Sequence, residues 1–382
     1  MIDSAFFAAL SLAQRRKCYN FLRSRAAAND AILASDDDRL KTLPHYQRIA
    51  LHDMLKHEAV FLEEFAPKVI AQVKSPGSTR HDIAATLQDC YPLLTKSIYL
   101  DRYDVLCDLA LRLMVHYGRV RSFQTTDALE QMLQDTDFGG DVPAAWFRPP
   151  FEEVFIEFGE HRRFPETISD PDSGEHVIEG VYVMSGLSHS KTDGQLVRAF
   201  DLIIFGSPTG KSTALDDCFI HMGLPIDDEE KPISDVVQDM VDYYASQSDF
   251  PNKHAFRPVV EHVAKVLVYL GTKDARQHKV TEGSEARRRI EGLKSPAKRE
   301  KAQRQAARLY DRIVIGPAEL PEDLAGGHIG SSSVRPHVRR GHFRAQAYGP
   351  QHTLRRPVWI QPTLVGKDRI SGEVAHPAYV IQ

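Results

Sequence analysis

Residues 331–367, SSSVRPHVRRGHFRAQAYGPQHTLRRPVWIQPTLVGK, decide the fold of the C-terminal part of this chain. Residues 342–348 and 354–360 read as strands, joined by Gly349, Pro350, Gln351, His352 and Thr353, where Gly and Pro supply a turn. The expectation is an antiparallel hairpin. Its two-residue period puts Phe343, Ala345 and Ala347 on one face and Arg344, Gln346 and Tyr348 on the other, and separates Arg356 in direction from Arg355 and Trp359. Pro357 has no N–H for a ladder, so the second strand is expected at an edge or with a bulge.

The stretch contains no acidic residue. Its cations alternate with histidines and aromatics, a mixture that pairs with phosphates and stacks on bases. Arg335, His337, Arg339, Arg340, His342, Arg344, Tyr348, Arg355, Arg356 and Trp359 are therefore the candidate partner- or nucleic-acid-binding residues. A basic hairpin whose aromatics simply pack inward is the competing reading.

Working outward, 382 residues are too many for one small core and suggest two lobes. At 42% hydrophobic and 26% charged the composition is that of an ordinary globular protein, and no uncharged stretch is long enough to span a bilayer. The net charge of -4 conceals a basic C-terminal third and an acidic remainder, so anionic partners are expected at the C-terminal end. Cys18, Cys90, Cys107 and Cys218 lie far apart, which speaks against a zinc module or a disulfide scaffold and fits a reducing cytoplasm.

Up to about residue 135, Ala, Leu and long charged side chains recur at helical spacing. Thr79-Arg80-His81-Asp82 predicts a helix start before Ile83 and Leu87, and Gly118 predicts the end of a helix over 103–117. Clusters of Gly and Pro at 138–143 and 148–150 mark a boundary. Beyond it, apolar runs at 151–158, 177–184, 197–205 and 218–222 predict an antiparallel meander, with covering helices over 233–247 and 258–270. Residues 287–312 are strongly basic and predict one exposed helix, a solvated face or a contact to RNA or ribosome. A Pro-, Gly- and Ser-rich connector over 317–333 leads to the hairpin.

Three motifs invite a catalytic reading. Gly206-Ser207-Pro208-Thr209-Gly210-Lys211-Ser212 resembles a phosphate loop but is one residue too short between its glycines, and it makes a good β-turn. Glu153, Glu157, Asp201, Asp216 and Asp217 lie on or beside neighbouring strands and offer carboxylates for Mg²⁺, without the order of a nuclease signature. His337, His342 and His352 among arginines offer an acid and a base for metal-free RNA cleavage, though their spacing fixes no geometry. None is adopted as a catalytic or metal site, and no cofactor is expected.

Arg335-Pro336-His337, Arg339-Arg340-Gly341-His342-Phe343-Arg344, Tyr348-Gly349, Leu354 and Arg356-Pro357-Val358-Trp359-Ile360, followed by Pro362-Thr363-Leu364-Val365-Gly366, carry a resemblance. They resemble the C-terminal signature of a phage- and plasmid-borne family whose known branch is the second type V-A anti-CRISPR family. The resemblance implies an inhibitor that lowers production of the RNA-guided type V-A nuclease by engaging its nascent chain and destroying the transcript. It thereby implies the nascent polypeptide, mRNA or ribosome of a defence nuclease as partners, and it identifies no catalytic residue.

The resulting expectation is an α+β protein. A helical lobe occupies residues 1–137, an antiparallel meander with covering helices and a basic helix occupies 151–330, and a basic hairpin over 331–382 completes the second lobe. Function is expected to be that of a cytoplasmic, mobile-element-encoded inhibitor, a binder more than an enzyme. An RNA- or DNA-binding regulator of a phage or plasmid comes second, and a metal-independent ribonuclease third.

Overall fold

The computed structural model describes residues 62–63, 67–90, 103–158, 167–170, 174–190, 193–208, 218–246, 252–306, 309–321 and 337–365, with a few isolated residues besides. The fold is α+β. Helices α1 (Pro67–Lys74), α2 (Arg80–Cys90) and α3 (Tyr103–His116) form an N-terminal layer. Helix α2 begins at the predicted cap: Thr79 N–H donates to Asp82 Oδ2 at 2.8 Å, and Asp82 N–H donates back to Thr79 Oγ1 at 3.2 Å. Helix α3 ends where Gly118 takes φ +68°, with Arg119 N–H bonding to the Met114 carbonyl and Gly118 N–H to that of Val115. Only a residue without a β-carbon takes that turn cheaply.

The next strands are β1 (Arg121–Thr125), β3 (Glu153–Glu157), β4 (Thr167–Asp170), β5 (Gly174–His189), β6 (Leu196–Pro208), β7 (Cys218–Ile226), β8 (Gln277–Val280) and β9 (Arg312–Ile315). Among the described residues they make an eight-stranded sheet in the order β7-β6-β5-β3-β1-β9-β8, with β4 on the flank of β5. Strands β5, β6 and β7 are the expected meander. The sheet as a whole is mixed, because β1 runs parallel to both β3 and β9. This corrects two expectations: residues 121–125 are strand and not helix, and the sheet is not wholly antiparallel. Strand β1 is five residues long, too short for a periodic signal, and it is held by partners far away in sequence.

Both faces of the sheet are covered, as its near-continuous apolar strands require. Val181, Val183, Leu202 and Ile204 face α4 (Asp127–Gln134), α5 (Ile233–Ser246) and α6 (Lys253–Leu270), while Tyr182, Met184, Ile203 and Phe205 face α1 to α3. Helix α6 starts five residues before the expected position and carries Pro258 within it. The basic segment is two helices, α7 (Glu282–Glu291) and α8 (Pro296–Ala306), not one. Gly292 caps the first. The segment then ends in β9, whose pairing with β1 was not legible locally.

The hairpin forms as expected from β11 (Gly341–Tyr348) and β12 (Leu354–Ile360) in regular antiparallel register. It joins a second sheet, in which β11 also pairs in parallel with β2 (Thr136–Phe138) and, among the described residues, β12 is the edge. Pro357 sits on that edge without a register shift. Strands β10 (His337–Arg339) and β13 (Thr363–Val365) pair beside it. Lys211, Asp216 and Asp217 lie outside the described residues, as does most of the 317–333 connector. No helix among the described residues is long and apolar enough to cross a membrane.

Candidate partner and nucleic-acid interface

The inner face of the hairpin is an anchor. Phe343 is fully buried and stacks on its cross-strand partner Trp359, with ring centroids 5.8 Å apart and planes inclined at 23°. Trp359 meets Tyr269 of α6 edge-on at 5.3 Å, and its indole N–H donates to Thr136 Oγ1 at 3.1 Å. The edge of β11 turned toward β2 is fastened as well: Gly139 N–H donates to the Phe343 carbonyl at 2.9 Å and Ala345 N–H to Asp141 Oδ2 at 2.9 Å. A β-carbon on Gly139 would lie 2.4 Å from that carbonyl, so the close approach requires glycine.

The outer face carries the cations. By the register, Arg344, Gln346 and Tyr348 share a face with Leu354, Arg356 and Val358. Arg344 donates to Gln346 Oε1 at 2.8 Å, and the Arg356 guanidinium lies 5.3 Å from the centre of the Tyr348 ring. His342 shares this face and is half-buried. The remaining candidates separate. Arg340 makes a two-pronged pair with Asp137 at 2.9 and 3.0 Å and so ties the hairpin to β2. Arg355 points with Trp359, is exposed and donates to the His352 carbonyl at 2.8 Å. Arg339 is exposed on β10 opposite Thr363. Arg335 lies outside the described residues, and His337 is described only in its backbone, paired with Val365. His342 and His352 are at opposite ends of the hairpin, roughly 20 Å apart by strand rise. They do not meet as an acid and a base.

Strand β12 also walls a pocket of about 670 Å³. Arg356, Pro357, Val358 and Trp359 form one side, Tyr269 and Thr272 at the end of α6 another, and residues 317–321 the rim. Lys273, Asp274, Arg276 and Glu319 supply both signs of charge. An aromatic floor with mixed polar walls beside a strand edge suits an extended polypeptide. The pocket is assembled from segments some 40 and 90 residues apart, which no local pattern in the sequence announces.

A second cationic surface lies on α7 and α8. Helix α8 buries none of its residues and presents Lys298, Arg299, Lys301 and Arg304. Glu300 pairs with Arg304 at 2.7 Å, and Asp311 faces Arg287 at 3.4 Å.

The carboxylates considered for Mg²⁺ are dispersed among other partners. Glu153 is buried against Arg119, which also donates to the carbonyls of Val73 and Ser78 at 2.6 Å. Burial pushes the Glu153 carboxyl up to about 7, against the opposing pull of Arg119. Glu157 accepts from the Tyr310 hydroxyl. Asp201 instead stands between His81 and His221, at 2.7 and 2.8 Å. Burial alone would raise the Asp201 carboxyl, but the hydrogen bonds from His221 and His81 and the Arg80 charge hold it well below the usual range. His81 is held up to about 9, first by its bond to Asp201 and next by Cys107, against burial and Arg80. Of this group only Asp201 stood out in the sequence, because the three side chains come from one helix and two strands.

The family described as AcrVA2-like, anti-CRISPR type V subtype A2, matches residues 123–367, well over half of the chain. Among solved structures, one described as "Crystal structure of AcrVA2" aligns with 93% of this chain and 99% of that chain at 14% identity and a TM-score of 0.40. No curated protein matches the chain.

Proposed function

The chain belongs to the AcrVA2-like, anti-CRISPR type V subtype A2 family, and from that premise we propose that it lowers production of a type V-A RNA-guided nuclease by engaging the nuclease's nascent chain and transcript. One observation supports this reading above the others. Strand β12 is at once the edge of its sheet, the wall of the pocket and half of the cationic outer face. A strand edge takes an extended polypeptide by main-chain bonds, here with the carbonyl alone at Pro357, and the pocket beside it takes side chains. Arg344, Arg356 and Tyr348 on the adjoining face suit a phosphate backbone and an unstacked base. One element therefore serves both a polypeptide and the message that encodes it.

The test is to recover, from translating cells that express a type V-A nuclease, the RNAs and peptidyl chains that copurify with the protein. Enrichment of nuclease nascent chains, lost in an Arg344→Ala/Arg356→Ala variant or in a pocket variant such as Thr272→Trp, is the expected result. Recovery of unrelated RNAs with no nascent-chain preference would overturn it in favour of a general nucleic-acid-binding regulator. The exposed basic pair α7 and α8 favours that second reading.

A further inference from the structure

Helix α2 brings its first turn directly onto the sheet, where Asp201 of β6 and His221 of β7 stand on the face turned toward α1 to α3. Their placement follows from register: His221 is opposite Ile203, two residues along from Asp201 on the same strand face. His81 Nε2 lies 2.7 Å from one Asp201 oxygen and His221 Nε2 lies 2.8 Å from the other. All three donor atoms fall within 4.8 Å of one another. The imidazoles are 38% and 39% exposed and the carboxylate 13%, so an ion has a path from solvent.

We propose that His81, Asp201 and His221 form a three-ligand site for a divalent transition cation of the zinc type, with the remaining coordination positions open to water. Two imidazole nitrogens and a carboxylate oxygen are the donor set that such borderline cations take. Bonds of about 2.0–2.1 Å place the donors of a tetrahedral site about 3.3 Å apart. That spacing lies within the range the cluster already spans, and rotation of two partly exposed rings achieves it. Cys107 Sγ, 3.8 Å from His81 Nδ1, supports the ring from behind and leaves Nε2 to face the site.

Arg80 is the competitor. Its Nη2 lies 2.8 Å from His221 Nε2, 3.5 Å from His81 Nε2 and 3.7 Å from Asp201 Oδ1, while its buried Nε has no hydrogen-bond partner among the described residues. The guanidinium thus stands within reach of all three donors, so a metal ion must displace it and replaces one cation by another. Bound there, the ion fastens the N-terminal helical layer to β6 and β7. The site lies outside the family match on one side, since the match begins at residue 123 and His81 precedes it.

Zinc titrated into the metal-free full chain is expected to bind saturably and to raise its melting temperature, and cobalt is expected to give a visible ligand-field spectrum. His81→Ala and His221→Ala, both at partly exposed positions, should each weaken zinc by at least about tenfold with an unchanged circular dichroism spectrum. Arg80→Gln should tighten it. Absence of saturable zinc binding, or an affinity unmoved by both histidine substitutions, would overturn the site and leave a hydrogen-bonded clasp. An unchanged affinity in Arg80→Gln would overturn the competition by the guanidinium.

Discussion

At the scale of single residues, Trp359 meets two demands that sequence alone could not rank. Its position among arginines suggested stacking on a base, whereas its ring lies between Phe343 and Tyr269 with its N–H satisfied by Thr136. Trp359→Ala is expected to cost about 2–3 kcal/mol, below the range for a fully buried Trp because the indole is only half-buried. Tyr348→Ala, at an exposed position, should cost well under 1 kcal/mol, within the usual range for surface changes. Urea unfolding of the two variants compares them; equal losses would show that Trp359 is not an anchor. Glu153 gives a pH dependence with a definite sign. Its folded carboxyl sits near 7, above the unfolded value of 4.5, so the native state holds that proton more tightly. Its contribution is fully present below the unfolded value and lost as pH rises through about 7. Glu153→Gln should therefore reduce the fall in unfolding midpoint between about pH 4.5 and about pH 7. A slope identical to that of the parent chain would contradict the assignment.

Among elements, legibility tracked the distance over which each is held. The hairpin was legible to within one residue, because a Gly-Pro turn and two alternating runs suffice to specify it. The Thr79–Asp82 cap and the Gly118 stop were legible for the same reason. Strands β1 and β9 were not, since Phe123 pairs with Ile313 across almost two hundred positions and neither strand exceeds five residues. The candidate surface was legible in composition but not in assignment: Arg340 holds β2, Arg355 shares the face of Trp359, and Arg344 and Arg356 remain on the outer face. Replacing Arg344 and Arg356 by Ala should weaken RNA association and lower its log–log salt slope by roughly 1.4, at about 0.7 for each phosphate of a single strand that is no longer neutralised. Arg340→Ala should instead lower the stability of the hairpin. A double variant with unchanged affinity and slope would remove the outer face from the RNA-binding surface and direct attention to α7 and α8.

Across the whole molecule, the mixed sheet joins the parts that matter. Its two covering layers are separately visible as apolar stripes, but the pocket and the His81–Asp201–His221 cluster arise only where those layers meet strands or connectors distant in sequence. A chain organised in this way seats its candidate binding element, β12, through Trp359 against the core cluster that holds Phe343 and α6, and the described histidines of the hairpin stand too far apart to work as an acid and a base. The proposed action at the level of synthesis has a testable consequence in time. Co-expression with a type V-A nuclease should lower both nuclease protein and nuclease message, whereas addition of the purified protein to nuclease already made should leave its cleavage activity intact. Blocking translation initiation should protect the message, because recognition of an emerging chain requires that chain. Equal loss of unrelated messages would indicate a general ribonuclease, and inhibition of finished nuclease would indicate direct binding to the folded target. The variant pair sharpens the comparison: Arg344→Ala/Arg356→Ala removes charge and leaves the Phe343–Trp359 anchor in place, so its stability should be retained while the fall in message disappears. A folded double variant that still depletes the message fully would separate depletion from the cationic face and leave the pocket as the element that acts.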